Sequence, residues 1–333
     1  MSGFFVWGKM KIKLDTHWER RTKHSFLTQE EIQNLFKIAG FKKTVFSSEV
    51  ITNGLANTNY KVVLENFAKP FFLRIWTRDS NACQKEFLLN EKLAKFKVPV
   101  PKIYFTDWGK SKVDFCWGIY EWVEGVQMTQ ALLNSTEKQI EKYFQEAVKI
   151  HNSFSKITFE KSGFFNNGLE IIPFEKGFAL EFFGELLGNP QIRNLLGKAD
   201  FEKLVKFIEE NRSKFSKLET ENHLIHADFK SSNFLVNPKT QEITGLVDWE
   251  FAFCSSPIFD LGMLLRFENE LGSSVKKSVE NFSELDLEED WYETAKLFDL
   301  MNLLDFMTRD LVEFKNVVEH CTELVKVTLK RFS

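Results

Sequence analysis

The chain has 333 residues, 43% of them hydrophobic and 27% charged, which suits a globular protein and is long enough for two lobes rather than one core. Lys and Arg number 44 against 47 Asp and Glu, and the net charge of -3 gives no basic excess that would favour nucleic acid or an anionic membrane as the main partner. Cys83, Cys116, Cys254 and Cys321 lie far apart, so no zinc-type or redox pair exists, and they read as free thiols in a reducing compartment.

The first residues, "MSGFFVWGKMKIK", hold an apolar run only from Phe4 to Trp7. A signal peptide needs about 7–15 apolar residues and a spanning helix about 20, so the cytoplasm is the expected location. Residues 28–39 predict a helix, with Thr28 as cap and Glu31 completing a capping box. Strands are expected near 43–51, 58–65 and 70–77, the first two joined by a hairpin turn at Asn53-Gly54. A helix over 80–96 stops before Pro99-Val100-Pro101, and strands follow near 102–107 and 115–123. Beyond Gly125 the pattern turns helical over 136–153, 175–187 and 199–216, with short strands near 234–237 and 243–248 and a mostly helical tail over 258–331. This order predicts an α+β chain of two lobes, 1–123 (including an extension of about 1–27) and 124–333, with a hinge near 120–126 and a cleft between them. Phe is abundant at 36 residues and adds core area.

One stretch stands out, "IHADFKSSNFLV" at 225–236, where polar residues are packed between two apolar runs. Asp228 and Asn233 share this loop, and a hairpin of the next two strands would return Asp248 of "TGLVDWEFAF" beside Asn233. Magnesium takes a few hard oxygen ligands and keeps several waters, so Asn233 and Asp248 suit it, leaving Asp228 to orient a hydroxyl and accept its proton. Phosphoryl transfer asks a protein for this positioning and charge neutralisation rather than for covalent chemistry. Asp and Asn are also ordinary turn formers, and His226 reads as structural, bonding backbone near the loop. The His226, Asp228 and Asn233 spacing matches a protein-kinase catalytic loop, but Ala227 stands where an Arg would be and Trp249-Glu250 follows the metal Asp. Too few residues separate Asp248 from Asp260 for a long activation segment.

"HADFKSSNFLV" followed by "GLVDWEFAFCSSPIFDLG" resembles the aminoglycoside phosphotransferase and choline kinase superfamily. The resemblance covers about residues 40–330 and implies a two-lobed protein-kinase-like fold, with a small antiparallel sheet in the first lobe and a mainly helical second lobe. It implies transfer of a phosphate from ATP or GTP, with Mg2+, to a hydroxyl of a small molecule. Asp260 of "DLG" would brace the catalytic loop. "NGLANTNYKVVL" is similar to the phosphate loop of choline and homoserine kinases; Gly54 would let backbone approach the phosphates, and Asn57 and Asn59 would hold the loop's shape. An ordinary Asn-Gly hairpin is the plainer reading of the same residues.

Arg74 in "FFLRIW" is a cation on an apolar strand and needs a partner. It takes the place of the kinase lysine, and register with the family pattern makes Glu86 its partner rather than Glu91, which lies about 140° round the helix. A surface ion pair is the alternative. Glu121 and Val123 would sit at the hinge that holds adenine, mainly through backbone groups. An acidic run, "SELDLEEDWYE" at 283–293, would hold an amine-containing acceptor or would simply be a solvated helix start. Trp249 and Glu250 read as structural. An aminoglycoside, choline, ethanolamine, homoserine or a sugar-like alcohol all remain open as acceptor, and an inactive nucleotide-binding protein on this fold is the rival.

Overall fold

The computed structural model describes residues 12–332 apart from 21, 53–55 and 78–80. Helix α1 (Gln29–Ile38) starts at the expected capping box: the Thr28 hydroxyl accepts from the Glu31 N–H at 3.2 Å and the Glu31 carboxylate accepts from the Thr28 N–H at 2.7 Å. Strands β1 (Val45–Ile51), β2 (Thr58–Leu64) and β3 (Phe71–Trp76) follow, then helix α2 (Asn81–Lys95) and strands β4 (Ile103–Asp107) and β5 (Cys116–Glu121). The strands form one antiparallel sheet in the order β1-β2-β3-β5-β4. Alternate residues of β2, Thr58, Tyr60, Val62 and Leu64, are buried, as the two-residue strand period requires. Ile32, Leu35 and Phe36 of α1 pack on this face together with Leu73, Ile75, Trp117 and Ile119. The turn at Asn53-Gly54 lies outside the described residues, but β1 and β2 pair as a hairpin requires, Ile51 opposite Asn59.

The chain leaves this sheet after Glu121 and enters the second region through β6 (Val126–Gln127). Gly125 precedes it with φ +148°, and a Cβ there would lie 2.7 Å from the Val236 carbonyl oxygen, so the crossing is confined to glycine. Helices α3 (Met128–Leu132) and α4 (Glu137–Phe154), strands β7 (Gly163–Phe165) and β8 (Ile171–Pro173), and helices α5 (Phe178–Gly188), α6 (Pro190–Glu210) and α7 (Ser216–Thr220) come next. Strands β9 (His223–Ile225), β10 (Phe234–Asn237), β11 (Glu242–Leu246) and β12 (Phe253–Ser255) surround the polar loop. Helices α8 (Ile258–Leu264), α9 (Glu268–Leu271), α10 (Ser274–Phe282), α11 (Trp291–Met307) and α12 (Lys315–Arg331) close the chain. The helix expected over 199–216 instead begins at Pro190, breaks at Gly197 (φ 75°) and gives way to a short 3-10 turn at Arg212–Phe215.

The fold is thus α+β and two-lobed, with an antiparallel sheet first and helices second. Gly262 decides how closely α8 meets α11, since a Cβ there would lie 2.1 Å from the Ala295 carbonyl oxygen. Beside that crossing, the fully buried Arg266 guanidinium donates to Asp299, from Nε at 2.9 Å. The core of the second region also takes in Leu14 and Trp18, so the N-terminal segment, expected with the first lobe, packs on the helices of the second. All four cysteines are buried. Among the described residues no helix is long and apolar enough to cross a membrane.

Candidate active site

The polar loop is held from below before any ligand is considered. Phe229 in its middle is fully buried, edge-on to Phe154 and Phe234, and so anchors the loop in the core. Asp260, at the start of α8, accepts from the backbone N–H groups of His226 at 2.7 Å and Ala227 at 2.9 Å. Those bonds hold Ala227 at φ 62°, a left-handed conformation that a non-glycine residue rarely adopts. Burial pushes the Asp260 carboxyl up to about 7, against the two N–H groups that favour its ionised form. His226 bonds the Val247 carbonyl through Nε2 at 3.0 Å and accepts from the Asp228 N–H at Nδ1, 3.3 Å away. Burial lowers its pKa, and a neutral ring with both nitrogens engaged has no proton-accepting capacity to spare.

Asp228 faces the crevice from this frame. Asn233 donates from Nδ2 to its carboxylate at 2.8 Å and to its backbone carbonyl at 2.7 Å, and Lys230 Nζ lies 3.0 Å from its other oxygen. Burial would raise the Asp228 carboxyl, but Lys230, Arg266 and the Asn233 hydrogen bond outweigh it and hold the group below its ordinary range. The loop is also tied to the crossing segment: Gln127 donates to the Ser232 carbonyl at 3.1 Å, and the Thr129 and Ser231 hydroxyls are 3.0 Å apart.

The β10–β11 hairpin brings Asp248 back to this point, at φ 67° in a left-handed turn. Asp248 Oδ1 receives Arg74 Nη1 at 2.7 Å, and the same nitrogen lies 3.3 Å from Glu86. Arg74 and Glu86 are buried, whereas Glu91 is exposed and plays no part. Burial would lower the Arg74 pKa, but Glu86, Asp248 and Glu250 reverse this and keep the guanidinium charged. Asn57, also buried, accepts from the Thr77 N–H at 3.3 Å and donates to Glu250 at 3.4 Å, a second link between the two regions. Asn59 sits opposite Arg74 in the β2–β3 register.

Asp228, Asn233, Asp248, Arg74, Asn57 and Asn59 line one crevice of about 670 Å³. Glu86 stands behind Arg74. Glu121 and Val123 lie at the end of β5 and do not line the crevice, and Gly54 is outside the described residues. The acidic run does not reach the crevice either: Glu284, Glu288 and Asp290 pair with Lys156, Lys217 and Lys214 on the outside of the second region. Lys230, Asp15 and Trp18 were not anticipated. Lys230 had a signal, a cation two residues from Asp228 on the same loop. Asp15 and Trp18 had none, because they lie in a segment without periodicity. Glu250, read as structural, faces the crevice.

Asp248 and Asn233 also fit a magnesium site. Arg74 takes only Oδ1 of Asp248, and Asn233 turns its nitrogen to Asp228, which leaves its amide oxygen as a donor. Two hard oxygens suffice for an ion that keeps waters and takes phosphate oxygens.

A kinase-like crevice of this kind defines a phosphotransferase. The chain belongs to the phosphotransferase enzyme family, whose model matches residues 47–296. Its motifs are those of the aminoglycoside phosphotransferase and choline kinase superfamily, enzymes whose acceptor is an alcohol group of a small molecule. The fold is similar to that of aminoglycoside phosphotransferase APH(4)-Ia in a ternary complex with ADP and hygromycin B (TM-score 0.67, 13% identity, 90% of this chain and 98% of that one). It is likewise similar to aminoglycoside 2'-phosphotransferase-IIIa with GDP (0.70, 16%, 91% and 98%) and to APH(2")-IIIa with GDP and kanamycin (0.69, 17%, 90% and 99%). No curated protein sequence matches the chain.

Proposed function

We propose that this enzyme transfers the γ-phosphate of ATP or GTP, with Mg2+, to a hydroxyl group of a small molecule bound in the crevice. The observation that carries the reading is the meeting of Asp228, Asn233, Asp248 and Arg74 around one crevice. Asp228, ionised and fixed by Asn233 and Lys230, would align the acceptor hydroxyl and take its proton as the new O–P bond forms and the bond to the leaving nucleoside diphosphate breaks. Asp248 and Asn233 would hold the ion, which neutralises phosphate charge when bound. Arg74, oriented by Glu86, would meet the phosphates from the other side. Gly54, Asn57 and Asn59 would shape the phosphate loop, and backbone near Glu121 and Val123 would receive the base. ADP and GDP in the complexes of similar fold agree with either nucleotide.

The acceptor end of the crevice suits a hydroxylated molecule with an apolar face. Phe164, Phe178, Phe182, Phe253, Phe259 and Phe306 line it. Of the carboxylates there, Asp15 accepts from Ser232 and Glu19 accepts from the N–H groups of Asn316 and Val317, while Asp305, beside Phe306, also lines the crevice. An amine-bearing acceptor would turn its cation toward Asp305, and a neutral alcohol would need no such partner.

The test is a nucleotide-consumption screen with MgATP and MgGTP against hydroxyl-bearing metabolites and aminoglycosides, with Asp228→Asn as blank. Consumption that depends on acceptor and on Asp228 is the expected result. Nucleotide binding with no turnover on any acceptor would favour the inactive rival.

A further inference from the structure

Residues 12–20 and 22 precede the part of the chain that the family model matches, 47–296, yet they run from the second region to the first along the crevice. The segment is anchored at four places. The Glu270 carboxylate accepts from the N–H groups of Lys13 at 2.6 Å and Leu14 at 3.0 Å. Leu14 is fully buried. Trp18 donates from its indole to His320 at 3.1 Å and stands edge-on to Phe267 and Phe306. Glu19 caps α12 through Asn316 and Val317 at 2.7 and 3.1 Å, where a carboxylate satisfies the unpaired N–H groups of a helix start.

Held this way, the segment grips both walls of the crevice. On the catalytic side Asp15 accepts from the Ser232 hydroxyl at 2.8 Å and lies 3.8 Å from Lys230 Nζ, whose other carboxylate neighbour is Asp228. The Lys230 ammonium also lies 5.2 Å from the Trp18 ring centroid. Asp15 and Lys230 are both buried, so Asp15 draws its charge compensation from a cation that it shares with Asp228. On the nucleotide side Arg20 donates from Nη2 to the carbonyls of Ala56 and Asn57, both at 2.8 Å, and the Thr22 hydroxyl also donates to Ala56. These two carbonyls lie at the end of the β1–β2 loop, just before β2 begins at Thr58.

We propose that residues 12–20 and 22 are a working part of the active site: Asp15 is a positioning residue that holds Lys230 and Ser232, and through them Asp228, while Arg20 fixes the nucleotide-side loop, so that docking of the segment and binding of the nucleotide are coupled. The proposal rests on the phosphotransferase reading, because only there do the two loops flank one ligand. Coupling of this kind is reciprocal: whatever the segment contributes to nucleotide affinity, the nucleotide returns to the docking of the segment.

The test titrates the full chain with magnesium AMP-PNP by calorimetry, and follows unfolding midpoint and amide exchange on the same samples. Thr136→Ala is the control, since it removes the capping box of α4 far from the crevice. It is expected to lower the midpoint by about 2–4 °C and to bind nucleotide within about twofold of wild type. Arg20→Met, which keeps side-chain bulk but donates nothing, is expected to weaken binding by about tenfold or more. Asp15→Asn is expected to speed exchange in residues 228–234 severalfold, with or without nucleotide, where the control does not. In the wild type, AMP-PNP is expected to slow exchange across residues 13–22. Arg20→Met binding as tightly as the control, or exchange in 13–22 indifferent to nucleotide, overturns the proposal while leaving the phosphotransferase reading intact. A wild type that binds neither AMP-PNP nor GMP-PNP overturns both.

Discussion

The two walls of the crevice are built in different ways. On the wall proposed to be catalytic, the polar loop is fixed from within the second region: Asp260 holds the backbone of His226 and Ala227, His226 holds Val247, and Asn233 holds Asp228. On the nucleotide wall the side chains are held across the gap. Arg74 reaches Asp248, Asn57 reaches Glu250, and Arg20 reaches Ala56 and Asn57 from a segment packed on the far region. The catalytic wall is therefore preorganised by its own core, whereas the nucleotide wall takes its geometry from contacts that any movement of the two regions would alter. On the proposed function, an enzyme that must admit and release a nucleotide has reason to keep its reacting groups rigid and its phosphate-side contacts exchangeable.

Substitutions can break this contrast on either side. The largest effect is expected from Asp228→Asn, which keeps shape but cannot take a proton: turnover should fall by about 10³-fold or more while nucleotide affinity, read by titration, stays within a few-fold. Equal loss of both would show that Asp228 serves binding. Arg74→Ala should come next. It leaves Glu86 buried without its cation and should cost about 3–5 kcal/mol in denaturant unfolding, together with nucleotide affinity. Asp260→Ala should cost about 2–4 kcal/mol by orphaning two buried N–H groups, and it should slow turnover more than it weakens nucleotide binding, because only the catalytic wall depends on it. An Asp260→Ala enzyme with full turnover would refute the bracing role and with it the contrast.

The smallest effect concerns pH. His151 is fully buried behind the catalytic loop, bonded to the Pro257 carbonyl at 3.1 Å, and burial lowers its pKa to about 4. The unfolded chain takes up this proton near 6.5 and the folded chain does not until about 4. Stability is therefore lost as pH falls from about 6.5 to 4, by an amount on the order of 3 kcal/mol at most. His151→Phe should remove that part of the slope. An unchanged slope would place the acid sensitivity elsewhere.

That Asp228, Asn233 and Asp248 come together was legible because the signals are local. Asp228, Asn233 and Asp248 lie within one loop and one hairpin, and short-range spacing survives folding as short-range geometry. The α1 capping box and the alternation in β2 were readable for the same reason. Strands β7 and β8 escaped because strands of three residues carry no period. The acidic run at 283–293 suggested an amine site, but its carboxylates pair with lysines on the outer surface, where spacing alone cannot show which face a helix start presents.

By itself the sequence determined the class of chemistry, since hydrogen-bonding groups set a few residues apart on a turn can meet in few ways. Only the tertiary structure decided what stands opposite them. Arg74 meets Asp248 across 174 positions and Asp15 meets Ser232 across 217. No local pattern encodes such pairs; they exist because two packed cores, one including Leu14 and Trp18, bring distant segments to the same crevice.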